Sequence, residues 1–134
     1  MKKVQLISLP KIEDARGNLT FLQSSDQVPF EIKRVFWTYD VPGGQIRGGH
    51  AYRTNEEVII ALSGSFDIVV EDESGLKTYT MNRSYIGLCV PALTWRHLEN
   101  FSTNSIALTL ASTVYDADDY VRNVQEFNEL KNEG

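Results

Sequence analysis

Seven short runs of β-branched and aromatic residues, each closed by a turn signal, occupy this chain between Lys33 and Ser112. In order they read KRVFWTYDV, EVIIAL, FDIVVED, LKTYTM, YIGLCV, TWRHLE and SIALTLAS. Ser63-Gly64-Ser65 separates the second run from the third and reads as a hairpin turn. DESG, Asp72 to Gly75, reads as the next turn. Strands this short and evenly spaced bury their apolar faces by closing sheets on one another. The pattern therefore predicts an all-β sandwich or barrel. A helix is expected only in the tail, where Tyr120, Val124, Phe127 and Leu130 recur at helical spacing. Asp116, Asp118 and Asp119 sit at its expected start, where the helix dipole favours anions. The 134 residues carry no repeat or linker, so one domain over 1–134 is expected.

Charge and cysteine count narrow the function. A net charge of -5 argues against a nucleic-acid backbone as partner, while local arginines can still hold a small anion. The single cysteine, Cys89, rules out an internal disulfide and lies in an apolar run as a core thiol. No stretch is apolar enough to span a membrane, and the opening MKKVQLISLPKIED is too short for a signal-peptide core. The expected location is the cytoplasm.

The segment from Arg47 to Gly64, RGGHAYRTNEEVIIALSG, looks like half of a metal site. Gly44 precedes His50 by five intervening residues, Glu57 follows seven after His50, and Gly64 seven after that. Residues two apart on a strand share a face, so His50 and position 52 converge. Glu57 is expected to join them from the neighbouring strand. This spacing resembles the first motif of the cupins, jelly-roll proteins that hold a metal on two histidines and a glutamate from that motif. Tyr52 stands in place of the second histidine. The slot for the last ligand, five residues after Pro91, falls on Arg96, and His97 is one residue out of phase. A tyrosine and an arginine suit a cation poorly, so no metal is expected. What remains is an interior with one histidine, one tyrosine and several arginines, suited to proton transfer beside an anion cradle.

Eight further blocks, in order, cover nearly the whole chain: DARGNL, PFEIKRVF, RGGHA, LSGS, GLCVPALTW, NFS, LAS and YDADDYVRN. Together they resemble the dTDP-4-keto-6-deoxyglucose 3,4-ketoisomerase family, a WxcM-like, RmlC-like branch of the cupins. The resemblance implies a small cupin-type jelly roll with a short C-terminal helix. It also implies a homodimer with exchanged strands, no cofactor and a dTDP-linked keto-deoxyhexose as substrate. The product would be a 3-keto sugar for an aminotransferase in the making of deoxysugars for cell-surface polysaccharide.

A neutral imidazole near its ordinary pKa suits removal of the carbon-3 proton, so His50 is the expected base. Arg47, Arg96 and Tyr52 are candidates to steady the enediolate. Arginine also binds pyrophosphate best, which makes Arg16, Arg34, Arg47 and Arg96 the nucleotide candidates. Trp37 can stack on base or sugar, and Tyr39 can offer a hydroxyl from the same strand face. Alternative readings are a dTDP-sugar 3,5-epimerase, a sugar-nucleotide-binding cupin without turnover and a metal-dependent dioxygenase-type cupin.

Overall fold

The computed structural model describes residues 3–72 and 75–133. Residues 73 and 74 of the expected DESG turn lie outside them. Among the described residues twelve strands form the body: β1 (Gln5–Ser8), β2 (Lys11–Ile12), β3 (Leu19–Thr20), β4 (Arg34–Tyr39), β5 (Arg47–Tyr52), β6 (Glu57–Ser63), β7 (Phe66–Asp72), β8 (Gly75–Met81), β9 (Ile86–Val90), β10 (Trp95–Glu99), β11 (Ile106–Ala111) and β12 (Tyr120–Val121). The described residues end in an α-helix, α1 (Val124–Glu133). All seven apolar runs are strands, and Gly64 makes the β6–β7 turn at φ +67, a conformation that favours glycine.

The long strands build two five-stranded sheets, ordered β1-β9-β6-β11-β4 and β12-β5-β10-β7-β8, with every pair antiparallel. This is a cupin-type jelly-roll sandwich with a short C-terminal helix. Strand β6 shows why the sheets close. Its side chains alternate, so Ile59 and Ala61 join the core cluster with Phe66, Ile68, Val70, Leu88 and Leu98. Val58 and Ile60 point the other way, under Leu9, Val28 and Phe30 of the N-terminal segment. A strand covered on both faces reads as a continuous apolar run, as VIIA does. Cys89 is fully buried in this second cluster.

The tail differs from its periodic reading. Tyr120 is not on the helix but in β12, paired with Tyr52 of β5. Helix α1 starts at Val124, and its Phe127 packs with Ala51, Val121 and Trp95. Asp116 caps a short 3-10 turn over Ala117–Asp119 by accepting from the Asp118 N–H. Asp119 is buried and clamps the chain after β5, accepting from Thr54 N (2.8 Å), Thr54 Oγ1 (2.9 Å) and Asn55 N (3.1 Å). That clamp fixes where Tyr120 sits.

Candidate active site

Ile68, Leu98 and their neighbours fill one end of the space between the sheets. The other end is polar. There a cavity of about 560 Å³ is lined by Phe36, Thr38, Arg47, His50, Tyr52, Arg96, Thr109, Tyr120 and Arg122, among others. Strand alternation brings His50 and Tyr52 to it together, with ring centroids 4.7 Å apart. Across the β5–β10 ladder Arg96 is the direct partner of His50, so the last-ligand slot of the sequence motif does fall beside the histidine. His97 points away and meets Glu99 instead, with Nε2 2.5 Å from Oε1.

Glu57 reaches the site from β6 in the opposing sheet, across the sandwich, and not from a strand adjoining β5. It is fully buried and bound to Arg96, which donates from Nε to Oε1 at 2.7 Å and from Nη2 to Oε2 at 3.1 Å. Arg96 Nη1 donates to the Gly48 carbonyl at 2.6 Å. The donor set does not fit a metal ion. Among the described residues the one carboxylate in range is committed to a guanidinium, and that guanidinium already supplies the positive charge. Burial opposes the charge on Arg96, but Glu57 outweighs it and keeps the group cationic.

A β-bulge shapes the mouth. His50 pairs with Arg96, but the next pair is Arg47 with Leu98, so Gly48 and Gly49 together oppose His97. In a regular strand Arg47 would face away from His50. The bulge turns it onto the inward side, level with Leu98, where it lines the cavity. Gly48 adopts φ +69, and a Cβ there would lie 2.2 Å from Arg96 Nη1. Gly48→Ala is therefore expected to displace Arg96 and lower stability by about 1–3 kcal/mol, read by urea denaturation. An unchanged midpoint would mean that the bulge is not under this constraint.

Charge around His50 is one-sided. Burial first, then the guanidiniums of Arg96, Arg122 and Arg34, push its pKa from 6.5 down to about 3. The imidazole is thus a neutral base throughout the physiological range. Its Nε2 is buried without a hydrogen-bond partner among the described residues, and so is the Tyr52 hydroxyl. Burial, followed by the Glu57 carboxylate, raises the Tyr52 pKa and keeps that phenol neutral. Tyr120 raises it further, although the Tyr52 hydroxyl is not in hydrogen-bond geometry with it.

Unfolding returns His50 to its ordinary pKa, so below pH 6.5 the unfolded chain takes up a proton that the folded chain refuses until about pH 3. Stability should fall as pH drops through that window, by up to about 1.4 kcal/mol per pH unit from this group, with no contribution above it. Urea melts between pH 7 and pH 4 check the slope, and His50→Gln should flatten it. An equally steep slope in that variant would assign the effect elsewhere.

Of the other candidates, Arg34 is half-buried, with its Nε buried and unpartnered among the described residues and its guanidinium 5.7 Å from the Tyr115 ring. Its charge is felt at His50. Trp37 reaches the cavity rim but is 57% exposed. Tyr39 is 59% exposed and lines only a shallower recess next to Arg47. Arg16 stands in the β2–β3 turn, held by Asp14 through Nε (3.0 Å) and Nη2 (2.9 Å), and does not line the cavity. Tyr120 and Arg122 were missed by the sequence reading. Both line the cavity, and the Arg122 guanidinium lies 4.4 Å from the Tyr120 ring centre. Arg34, Arg47 and Arg122 have no carboxylate partner among the described residues. Arg47 and Arg122 line the cavity, while Arg34 is near enough for its charge to act on His50, and unpaired guanidiniums so placed are suited to an anionic ligand.

Residues 2–132 match the profile of the family described as FdtA: WxcM-like, C-terminal. The chain is 33% identical over 123 residues to the TDP-4-oxo-6-deoxy-alpha-D-glucose-3,4-oxoisomerase of Aneurinibacillus thermoaerophilus, covering 92% of this chain and 88% of that one. It is similar in structure to the TDP-quinovose 3,4-ketoisomerase WlaRB from Campylobacter jejuni, with 40% identity and a TM-score of 0.90 over 96% of this chain and 99% of that chain. The 3,4-ketoisomerase QdtA from Thermoanaerobacterium thermosaccharolyticum superposes with a TM-score of 0.95 at 31% identity, over 99% of this chain and 96% of that chain. That structure is of a histidine-to-asparagine mutant in complex with TDP-4-keto-6-deoxyglucose.

Proposed function

This chain belongs to the FdtA, WxcM-like family, and from that premise we propose that it is a sugar-nucleotide 3,4-ketoisomerase. It converts dTDP-4-keto-6-deoxyglucose into a dTDP-3-keto-6-deoxyhexose by acid/base proton transfer without a metal. The observation that carries this reading is His50, a buried imidazole held neutral among guanidiniums at the wall of a cavity.

The carbon-4 ketone acidifies the proton on carbon 3. His50 takes that proton, and the C–H electrons become the carbon 3–carbon 4 double bond while the ketone oxygen becomes an enediolate oxygen. The hydroxyl proton on oxygen 3 then leaves as carbon 3 becomes the ketone, and carbon 4 and oxygen 4 each gain a proton. Carbon 3 is oxidised and carbon 4 reduced, so no outside oxidant is needed. Arg96 supplies fixed positive charge beside the developing oxyanion, and Tyr52 a neutral hydroxyl. Arg47, Arg34 and Arg122 are free to hold the pyrophosphate. Trp37 is exposed on the outer face of β4 with Val35 and Tyr39, so it is assigned to a second copy of the chain rather than to the nucleotide.

The dimer expected from the resemblance is supported by the apolar row Val35, Trp37 and Tyr39, exposed on β4, which is an edge strand. We assign that row to a second copy of the chain. Arg16 meets a ligand only if that copy presents it to its partner's cavity. Among the described residues no helix is long and apolar enough to cross a membrane. A nucleotide-sugar substrate assigns the work to the cytoplasm, with an aminotransferase acting on the 3-keto product.

The experiment is conversion of dTDP-4-keto-6-deoxyglucose by protein treated exhaustively with a chelator, with the sugar nucleotides separated by chromatography. A 3-keto product at undiminished rate supports the reading. Activity lost on chelation and restored by a divalent cation would overturn it.

A further inference from the structure

Moving the ketone needs two proton relays, one between the carbons and one between the oxygens. His50 accounts for the first. On that reading of the reaction, we propose that Tyr120 is the catalytic group for the second, carrying the hydroxyl proton from oxygen 3 to oxygen 4.

Three rings meet at the cavity wall. Tyr120 lies 5.0 Å from His50 and 4.8 Å from Tyr52, centre to centre, which closes a triangle with the 4.7 Å His50–Tyr52 contact. A sugar held at the imidazole therefore lies beside two phenols. The two phenols are not equivalent. Tyr52 is nearly fully buried, and its ionisation is opposed by burial and by the Glu57 carboxylate. Tyr120 is half-buried, lines the same cavity and carries the Arg122 guanidinium over its face. A cation in that position favours negative charge that develops on the phenol oxygen during transfer.

The site is also built to hold Tyr120 still. Its backbone pairs with Tyr52 through β12, and the preceding residue is the clamped Asp119, whose carbonyl accepts from Arg53 N at 2.8 Å. This rigidity suits a group that must meet two oxygens in turn.

The balance closes. Once His50 has taken the carbon-3 proton and left the enediolate, Tyr120 gives its hydroxyl proton to oxygen 4. It regains a proton from oxygen 3, directly or through Tyr52, as the new ketone forms. His50 returns its proton to carbon 4, and both side chains end as they began.

The test uses Tyr120→Phe, which removes a single oxygen, with dTDP-4-keto-6-deoxyglucose in deuterated buffer. Two rates are read by proton NMR: deuterium entering carbon 3 of recovered substrate, and formation of the 3-keto product. Product formation should fall about 100-fold, a usual share for one acid/base group, while carbon-3 exchange falls less than about threefold. Tyr120→His, which restores a transferable proton, should recover about tenfold over the phenylalanine variant. Both rates unchanged in Tyr120→Phe, or both lowered in proportion, would overturn the proposal, as would Tyr120→His slower than Tyr120→Phe. Failure of the wild-type protein to exchange or convert is a separate result, which sinks the ketoisomerase reading itself.

Discussion

Replacing His50 with asparagine is expected to leave a folded protein that binds dTDP as before but forms 3-keto product about 10³- to 10⁴-fold more slowly. Asparagine keeps roughly the size and polarity of the side chain and removes only the base. Arg34, Arg47 and Arg122, the groups available to the pyrophosphate, are untouched, so calorimetric titration with dTDP should give an affinity within a few fold of wild type. Carbon-3 exchange should vanish with turnover. That separates this variant from Tyr120→Phe, in which exchange persists. A His50→Asn protein that still exchanges carbon 3 at the wild-type rate would move the base to another residue.

Glu57→Gln is expected to have the largest effect on stability. Arg96 is only 4% exposed, and Glu57 is its sole carboxylate partner among the described residues. Removing that charge strands a buried guanidinium, a loss of about 3–5 kcal/mol. Part of a 134-residue chain's whole stability is at stake, so the melting temperature should drop by roughly 10 °C or more. The double variant Glu57→Leu with Arg96→Leu discriminates. Two apolar side chains of suitable volume should regain most of the stability, since a buried ion pair is often no better than packed hydrocarbon. Activity should stay low, because the fixed charge beside His50 is gone. A single Glu57→Gln variant as stable as wild type would mean that the pair is hydrated and that its internal-cation role is wrong.

How far the sequence foretold this arrangement depends on the range of the signal. Alternation within a run is local, which is why the strands and the shared face of His50 and Tyr52 were legible. The count from Pro91 to Arg96 worked because the short turn over 91–94 leads directly into β10, where Arg96 pairs with His50. Three features were not legible. Glu57 comes from the facing sheet, because β4 to β7 alternate between the two sheets and sequence adjacency there does not mean sheet adjacency. Arg47 turns inward only because Gly48 and Gly49 form a bulge, for which the paired glycines were the available sign. Tyr120 kept the helical spacing of Val124 and Phe127 yet pairs as a strand with Tyr52, because the Asp119 clamp ties it to the segment after β5. Long-range pairing overrode local periodicity there, and it brought to the site the phenol that the motif reading lacked.

The most direct test of the central claim is proton NMR of the wild-type protein with dTDP-4-keto-6-deoxyglucose in deuterated buffer containing a chelator. Metal-free proton transfer at His50 predicts deuterium at carbon 3 of the substrate and at carbon 4 of a new 3-keto sugar, with carbon 5 left protonated. Deuterium at carbon 5 would make the protein an epimerase, and no exchange at all despite dTDP binding would make the cavity a receptor, either of which contradicts the account.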